Sequence, residues 1–392
     1  MEINKLSSEV FEDVVKWRRD LHQIPEVGQF LPNTSKYVCE QLDKMGIDYK
    51  VGVGLESAIV ATIKGLGGGK CIALRADMDG LPVKEETGLN FASQNGNMHA
   101  CGHDAHTAIL LGVVKVINVL KNQFSGTVKF LFQPAEEISA GAQPMIEAGA
   151  LNGVDAIIGL HVGNISDEVS NGSVLLSTGS MMACLDRFTM TVKGLGSHGA
   201  YPHVSIDPIV ISAQIITGIQ EIISRELNPV EPGVITIGSI HGGSTYNVIP
   251  SEVFLEGTAR AVNQKTREYI TKRIGEIGAN IAAGYRGSVE YEYFRGAPPL
   301  VNNEKFTLDV YESVKKAIGD DKVQLMSKPV MGGEDFSYYL EKVPGTFIFL
   351  ANPMEVGGQV YPHHNSKFAL NEEYFETGVS IFVQSAMDYL KN

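Results

Sequence analysis

The sequence predicts an α/β protein that carries a smaller α+β domain inserted into a larger α/β domain. Three observations carry this expectation. Apolar strand-like runs alternate with helix-like segments in the first part of the chain and again near its end, the pattern of a sheet flanked by helices. Between these parts the order becomes β-α-β-β-α-β, a ferredoxin-like unit complete within 187–294. The chain is 392 residues long, more than one ordinary core accommodates. The expected boundaries are 1–182 and 296–392 for the two parts of the larger domain and 183–295 for the insert.

The elements follow from periodicity and breakers. Val10, Val14, Trp17 and Leu21 share one face of a first helix, with Ser7 or Ser8 as its N-cap and an end before Pro25. A second helix covers 34–45 and stops at Gly46. Strands at 57–64 and 71–76 are joined by a Gly-rich turn at 65–69, which lacks the Lys and Ser/Thr of a phosphate loop. An apolar helix at 107–120 precedes a strand at 127–132 that ends before Pro134. A short helix at 145–148 and a strand at 156–160 follow. In the insert, strands at 187–193, 234–240, 253–259 and 289–294 alternate with helices at 208–227 and 265–283. Gly296-Ala297-Pro298-Pro299 marks the return to the larger domain. A helix at 306–318, a strand at 346–350 and a helix at 372–390 complete it.

Composition narrows the class. Hydrophobic residues make up 44% and charged residues 20%, as in a soluble globular protein. A net charge of −13 argues against a nucleic-acid or anionic-membrane partner. Cys39, Cys71, Cys101 and Cys184 are widely spaced, which fits a reducing compartment rather than a disulfide framework. No signal core or apolar run of roughly 18 residues is found, so a cytoplasmic protein without a membrane partner is expected.

The densest chemistry lies at 99–106, where His99, Cys101, His103, Asp104 and His106 crowd together between small and apolar neighbours. Imidazole and thiolate are the ligands that borderline-soft divalent metals prefer. Further polar groups follow three apolar strands: Asp77 and Asp79, then Glu136 and Glu137, then His161. In open α/β sheets sites gather at the carboxyl ends of strands, so adjacency of these strands brings the groups together. Cys101, His103, Glu137, His161 and either His363 or His364 exceed one tetrahedral site and suit two metals about 3.5–4 Å apart. The side chains of Glu136 and Glu137 diverge, leaving one for a metal and one for water as general base. Asp77, Asp79, Asp104 and His106 are candidates to orient the ligands. His22 reads as structural. In the insert, His198 lies on a Gly-rich loop and can swing in to stabilise an oxyanion. Asn247 at a strand entrance and Arg260 near a strand end are candidate substrate contacts, the latter for a carboxylate.

Several motifs together carry a resemblance: Leu74-Arg75-Ala76-Asp77-Met78-Asp79-Gly80-Leu81-Pro82, the stretch from Met98 to His106, Gln133-Pro134-Ala135-Glu136-Glu137, Gly159-Leu160-His161, Gly199-Ala200 after His198, Asn247-Val248-Ile249-Pro250, and Glu334-Asp335-Phe336. In this order they resemble the M20 family of metallopeptidases, in its branch of amidohydrolases such as aminoacylases, hippurate hydrolases and auxin-conjugate hydrolases. The resemblance implies a catalytic α/β domain with a mixed sheet and a two-metal site, plus an inserted lid and dimerisation domain. It implies Cys101, His103, Glu137, His161 and one late histidine as ligands, Glu136 as general base, and His198 as a lid histidine. His364-Asn365-Ser366-Lys367-Phe368 matches the family frame, which selects His364 over His363. Ser366 stands where that spacer commonly has proline, and Gly80 where the branch usually has alanine.

The expected activity is hydrolysis of the amide bond of N-acyl amino acids, with two divalent ions per subunit, manganese or zinc, and a homodimer or higher homo-oligomer formed through the lid domain. A dipeptidase or aminopeptidase of the same family is the nearest alternative. A non-catalytic metal- or metabolite-binding protein on this fold is the alternative from another class.

Overall fold

A computed structural model describes residues 2–164 and 169–391. The chain divides into two compact units. The first comprises Met1–Gly179, Asn302–Ser327 and Tyr338–Asn392, and the second Ser180–Val301 with Lys328–Ser337.

The first unit is built on an eight-stranded mixed sheet. Its strand order is Asp48–Val51, Ile59–Lys64, Thr127–Gln133, Cys71–Asp77, Ala156–Gly163, Gly345–Ala351, Val174–Leu176, Val323–Leu325. The middle four run parallel, so their carboxyl ends lie along one edge. Alternation along each strand divides the two faces. Ile72, Leu74 and Ala76, with Val128, Phe130, Phe132, Ile158 and Leu160, join one apolar core with the helices His103–Leu120 and Phe375–Lys391. Arg75, Asp77, Gln133 and His161 fall on the alternate positions.

The helix His103–Leu120 is apolar on nearly every side and buried inside this core. It is long and apolar enough to cross a bilayer by length and composition. An all-round apolar helix is also what the centre of a large domain requires.

Several boundaries differ from the sequence-based expectation. The first helix is two, Glu2–Glu9 and Phe11–His22, and Ser7 is buried inside the first instead of capping the second. The junction is at Val10, whose ψ of −3° departs from helical values while its carbonyl still accepts the Val14 amide at 3.0 Å. Asp48–Val51 is an edge strand whose exposed, charged positions give no apolar alternation to read. The strand Ala156–Gly163 runs past His161, so that histidine sits within the strand. The long insert helix stops at Gly218 and resumes as a short π-helical turn at Ile222–Glu226.

The second unit holds a four-stranded antiparallel sheet ordered Gly233–Gly242, Glu252–Ala261, Asp186–Lys193, Ser288–Phe294. This is the ferredoxin-like order. The helices Pro208–Gly218 and Gln264–Gly284 pack on it around Phe188, Met190, Ile215, Leu255 and Ile274. Lys328–Ser337 joins this unit partly through backbone bonds from Ala183 N–H to Gly332 O and from Val330 N–H to Met181 O.

The insert encloses a buried charge pair. Arg267 meets Asp186 through Nε at 2.8 Å and Nη2 at 2.6 Å, and donates to Gly296 O at 2.9 Å. Asp186 also accepts from Tyr293 Oη at 2.6 Å and from Gly296 N–H at 3.1 Å. These bonds tie the first strand of the insert to its exit segment. Removing one partner of a buried pair leaves the other charge uncompensated. Arg267→Leu is therefore expected to lower unfolding stability by about 3–5 kcal/mol, read as a fall in the urea midpoint. An unchanged midpoint contradicts this role.

Candidate metal centre

The sheet brings the ends of three parallel strands and one helix start to a common place. Gly102, at φ +88°, turns the chain between Cys101 and His103 and precedes the helix His103–Leu120. A Cβ at Gly102 would approach Val162 Cγ2 to 2.9 Å, so this position needs glycine for both its conformation and its space. The segment 99–106 is thus half loop and half helix. After the strand Thr127–Gln133, Ala135 adopts φ +63°, a costly conformation for a side chain with Cβ. It redirects the chain so that Glu136 and Glu137 enter the centre.

Asp79 fixes both segments at once. Its carboxylate faces His103 Nδ1 at 3.2 Å and accepts the backbone N–H groups of Glu136 at 3.2 Å and Glu137 at 3.1 Å. A carboxylate partner makes Nδ1 the protonated ring nitrogen and leaves the Nε2 lone pair facing outward. His103 Nε2 lies 3.9 Å from Glu136 Oε2 and 3.9 Å from Glu137 Oε1, too far for hydrogen bonds. His103 Nε2 and Glu137 Oε1 are buried with no hydrogen-bond partner.

The remaining groups close around this gap. Cys101 Sγ lies 3.4 Å from His161 Nε2, and His364 Nε2 lies 3.4 Å from Glu137 Oε2. The His161 Nδ1 proton goes to Val162 O at 2.8 Å, which leaves the Nε2 lone pair facing Cys101 as a candidate ligand. His364 is at φ +67°, and its N–H donates to Ala100 O at 2.8 Å, beside Cys101. His363 turns the other way, placing Nε2 3.0 Å from Val162 O. Groups within ligand distance of one another among the described residues include Cys101, His103 and His161; Cys101, Glu137 and His364; His103, Glu136 and Glu137; and, deeper in, Asp77, His103 and His106. Cys101 belongs to two of them, so its sulfur can face two ion positions.

The donor set fits divalent cations. Ligand bonds of about 2.0–2.2 Å from imidazole N and carboxylate O match a 3.9 Å gap between two orphaned atoms better than any direct contact does. The electrostatics agree. Burial pushes the Cys101 thiol up and, with Asp79 and Asp77 nearby, holds the Glu137 carboxyl above its ordinary value against the pull of His103 and His364. Burial, His106 and His363 hold His161 well below its usual range. Burial would also lower His103, but Asp77, Asp79 and Cys101 outweigh it and raise it well above. Burial thus disfavours the charged forms of Cys101, Glu137 and His161, and a bound cation would favour the thiolate and carboxylate instead.

The orienting groups sort themselves by geometry. Asp77 faces His106 Nδ1 at 2.6 Å and pairs with Arg75, while Val162 N–H donates to His106 Nε2 at 2.9 Å. Both His106 nitrogens are occupied, so it supports the centre from behind. Asp104 points away, with Arg18 Nε at 2.8 Å and His22 Nδ1 at 2.6 Å. Those two outweigh the effect of burial and hold its carboxyl far below the usual range. His22 also meets Glu85 at 3.1 Å, so the network ties the N-terminal helix to the start of the central one. His99 is buried with neither ring nitrogen partnered, and burial drives its pKa to about 4. At the Ser366 position the loop is held without proline: Ser366 Oγ donates to Glu86 at 2.8 Å and Glu86 N–H returns to Ser366 O at 2.8 Å.

The other sequence-selected residues lie in the second unit. His198 pairs with Val248 in a two-stranded ribbon, is exposed, and accepts Ala200 N–H at its Nδ1 at 3.1 Å. Asn247 adjoins that ribbon, and its carbonyl accepts Gly199 N–H at 2.8 Å. His198 and Asn247 therefore form one local cluster. Arg260 donates to Asp186 O at 3.3 Å and Ala259 O at 3.1 Å. His106 was a sequence candidate for orienting the ligands, but its route through Val162 N–H, and any such role for His363, were not anticipated.

Comparison with known proteins agrees with this centre. Residues 73–388 match the model of peptidase family M20/M25/M40, and the chain belongs to that family. Thermostable carboxypeptidase 1 of Saccharolobus solfataricus is 41% identical over 383 residues, covering 96% of each chain. The N-acetyl-L-cysteine deacetylase of Bacillus subtilis is 40% identical over 357 residues, covering 91% of this chain and 83% of the relative. The crystal structure of the YXEP protein of Bacillus subtilis, a dinuclear metal-binding peptidase of the M20 family, is 34% identical. It superposes with a TM-score of 0.85, covering 98% of this chain and 99% of that one. The protein is a metal-dependent amide-bond hydrolase.

The Asp79 arrangement has a measurable consequence. Asp79→Asn replaces one acceptor oxygen with a donor and weakens the hold on His103, Glu136 and Glu137 together. Zinc affinity, measured by chelator competition, is expected to fall roughly 10–100-fold, the usual loss when a ligand-orienting partner is removed. Affinity equal to the wild type contradicts the assignment.

Proposed function

We propose that this enzyme removes the acyl group from N-acyl amino acids or similar small conjugates, releasing a carboxylic acid and a free amino acid. In this reading Cys101, His103, Glu137, His161 and His364 hold two divalent ions, zinc or manganese, with the Cys101 thiolate favouring zinc by softness. When bound, such ions polarise an amide carbonyl and lower the pKa of water. Glu136 takes the proton from the attacking water and returns it to the leaving amine nitrogen. His198 donates to the carbonyl oxygen as negative charge develops there. Asn247 orients the substrate, and Arg260 meets its carboxylate.

The observation that carries the reading is the adjacent glutamate pair. Asp79 holds both backbones, and both carboxylates stand at 3.9 Å from His103 Nε2. Glu137 Oε2 lies 3.4 Å from His364 Nε2, which supports Glu137 as the metal-facing glutamate and Glu136 as the general base. The aminoacylase-like branch and the acyl substrate are supported by the relative named N-acetyl-L-cysteine deacetylase. A homodimer formed through the insert is part of the same proposal. A cytoplasmic setting is supported by four free cysteines.

A peptidase reading has its own support in the relative named Thermostable carboxypeptidase 1. Turnover on N-acetyl and N-benzoyl amino acids against free dipeptides and longer peptides separates the two. The proposal expects kcat/KM at least about tenfold higher on the acyl amino acids; the opposite preference overturns it in favour of a peptidase. Glu136→Ala is expected to lower kcat by roughly 10²–10⁴-fold, the usual share of general acid–base catalysis, with metal content by elemental analysis unchanged. Near-wild-type turnover in that variant removes Glu136 from the mechanism.

A further inference from the structure

Val162 follows the candidate ligand His161, and both its backbone N–H and its backbone carbonyl are held. Its N–H donates to His106 Nε2 at 2.9 Å. Its carbonyl oxygen accepts from His161 Nδ1 at 2.8 Å and from His363 Nε2 at 3.0 Å. A carbonyl can accept two donors through its two lone pairs, and each donor fixes the tautomer of its ring. His161 therefore carries its proton on Nδ1 and presents Nε2 to Cys101. His363 carries its proton on Nε2.

The surroundings are shaped for this ring. His363 packs edge-on against His161 with centroids 5.1 Å apart and lies against Phe368 at 4.8 Å. Gly163 ends the strand at φ +125°, and a Cβ there would come within 2.2 Å of His363 Nε2. The strand is thus free of side-chain bulk at the point where the imidazole reaches the Val162 carbonyl.

We propose that His363 is a positioning residue: by sharing the Val162 carbonyl with His161, it fixes the aim of the His161 ring and sets how tightly the Cys101–His161 side of the centre holds its ion. This inference rests on the proposed ligand roles of Cys101 and His161. A space-filling role for His363 requires only bulk against Phe368. A positioning role requires an N–H donor at the reach of Nε2.

Two variants separate these roles. His363→Gln keeps a donor at about that reach, and His363→Met has nearly the same size with no donor. Zinc affinity is measured by chelator competition on the full-length protein, with stoichiometry from elemental analysis. The wild type is expected to hold two equivalents, and His363→Gln to stay within about threefold of it. His363→Met is expected to lose roughly 10–100-fold for one equivalent, with the other unchanged. Wild-type affinity in His363→Met, or equal loss in both variants, overturns the inference. Imidazole ¹⁵N resonances of the zinc-loaded wild type give a test that needs no variant: a His363 proton on Nδ1 instead of Nε2 also overturns it. Failure of the underlying ligand reading looks different, because Cys101→Ala would then retain both equivalents at wild-type affinity.

Discussion

The Asp79 carboxylate is the point on which the centre depends. It lies just past the end of one parallel strand and reaches the first residue of the central helix and two backbone amides of the loop after a neighbouring strand. Hydrogen bonds to a charged group contribute about 1.5–3 kcal/mol each, and more is lost when a buried partner is left unmade. Two such bonds, from the Glu136 and Glu137 amides, together contribute about 3–6 kcal/mol, more than a non-glycine residue costs at positive φ, of order 1–3 kcal/mol. They therefore account for a loop that keeps Ala135 at φ +63° in order to bring two glutamates inward. The strain and the hydrogen bonds are two sides of one local arrangement.

The sheet supplies what Asp79 cannot. Parallel pairing sets Asp77 opposite Gln133, and His161 opposite Phe349, so the strand ends advance together. One face of these strands is spent on the apolar core, and period-two alternation leaves the other for Arg75, Asp77, Gln133 and His161. Behind the candidate ligands stand partners that set tautomers: Asp79 for His103, the Val162 carbonyl for His161, and Asp77 with the Val162 amide for His106. The ring nitrogens left over, Nε2 of His103 and of His161, are those that face the gap.

Much of this was legible in the sequence because it is written in local pattern. The strands at 71–76, 127–132 and 156–160 are apolar runs, and the ferredoxin-like insert announces itself through segment order. The crowding of Cys101 and His103, with Glu136–Glu137 after Pro134, pointed to the centre for chemical reasons alone. What stayed hidden depends on residues far apart in the chain. Asp104 looked like a neighbour of His103, yet the helical turn aims it at Arg18 and His22. No periodicity could show that His363 and His106 both bond the backbone of Val162. The edge strand Asp48–Val51 was missed because its residues face solvent, and the helix junction at Val10 because apolar spacing continues across it.

In the proposed arrangement one gap, framed by Cys101, His103, Glu137, His161 and His364, holds two divalent ions while Asp77, Asp79, His106 and His363 stay outside the coordination. Anomalous diffraction from zinc-loaded crystals tests this most directly. Two peaks in that gap are expected, both beside Cys101 Sγ. A single peak, or a peak coordinated by Asp77 and His106, would contradict it.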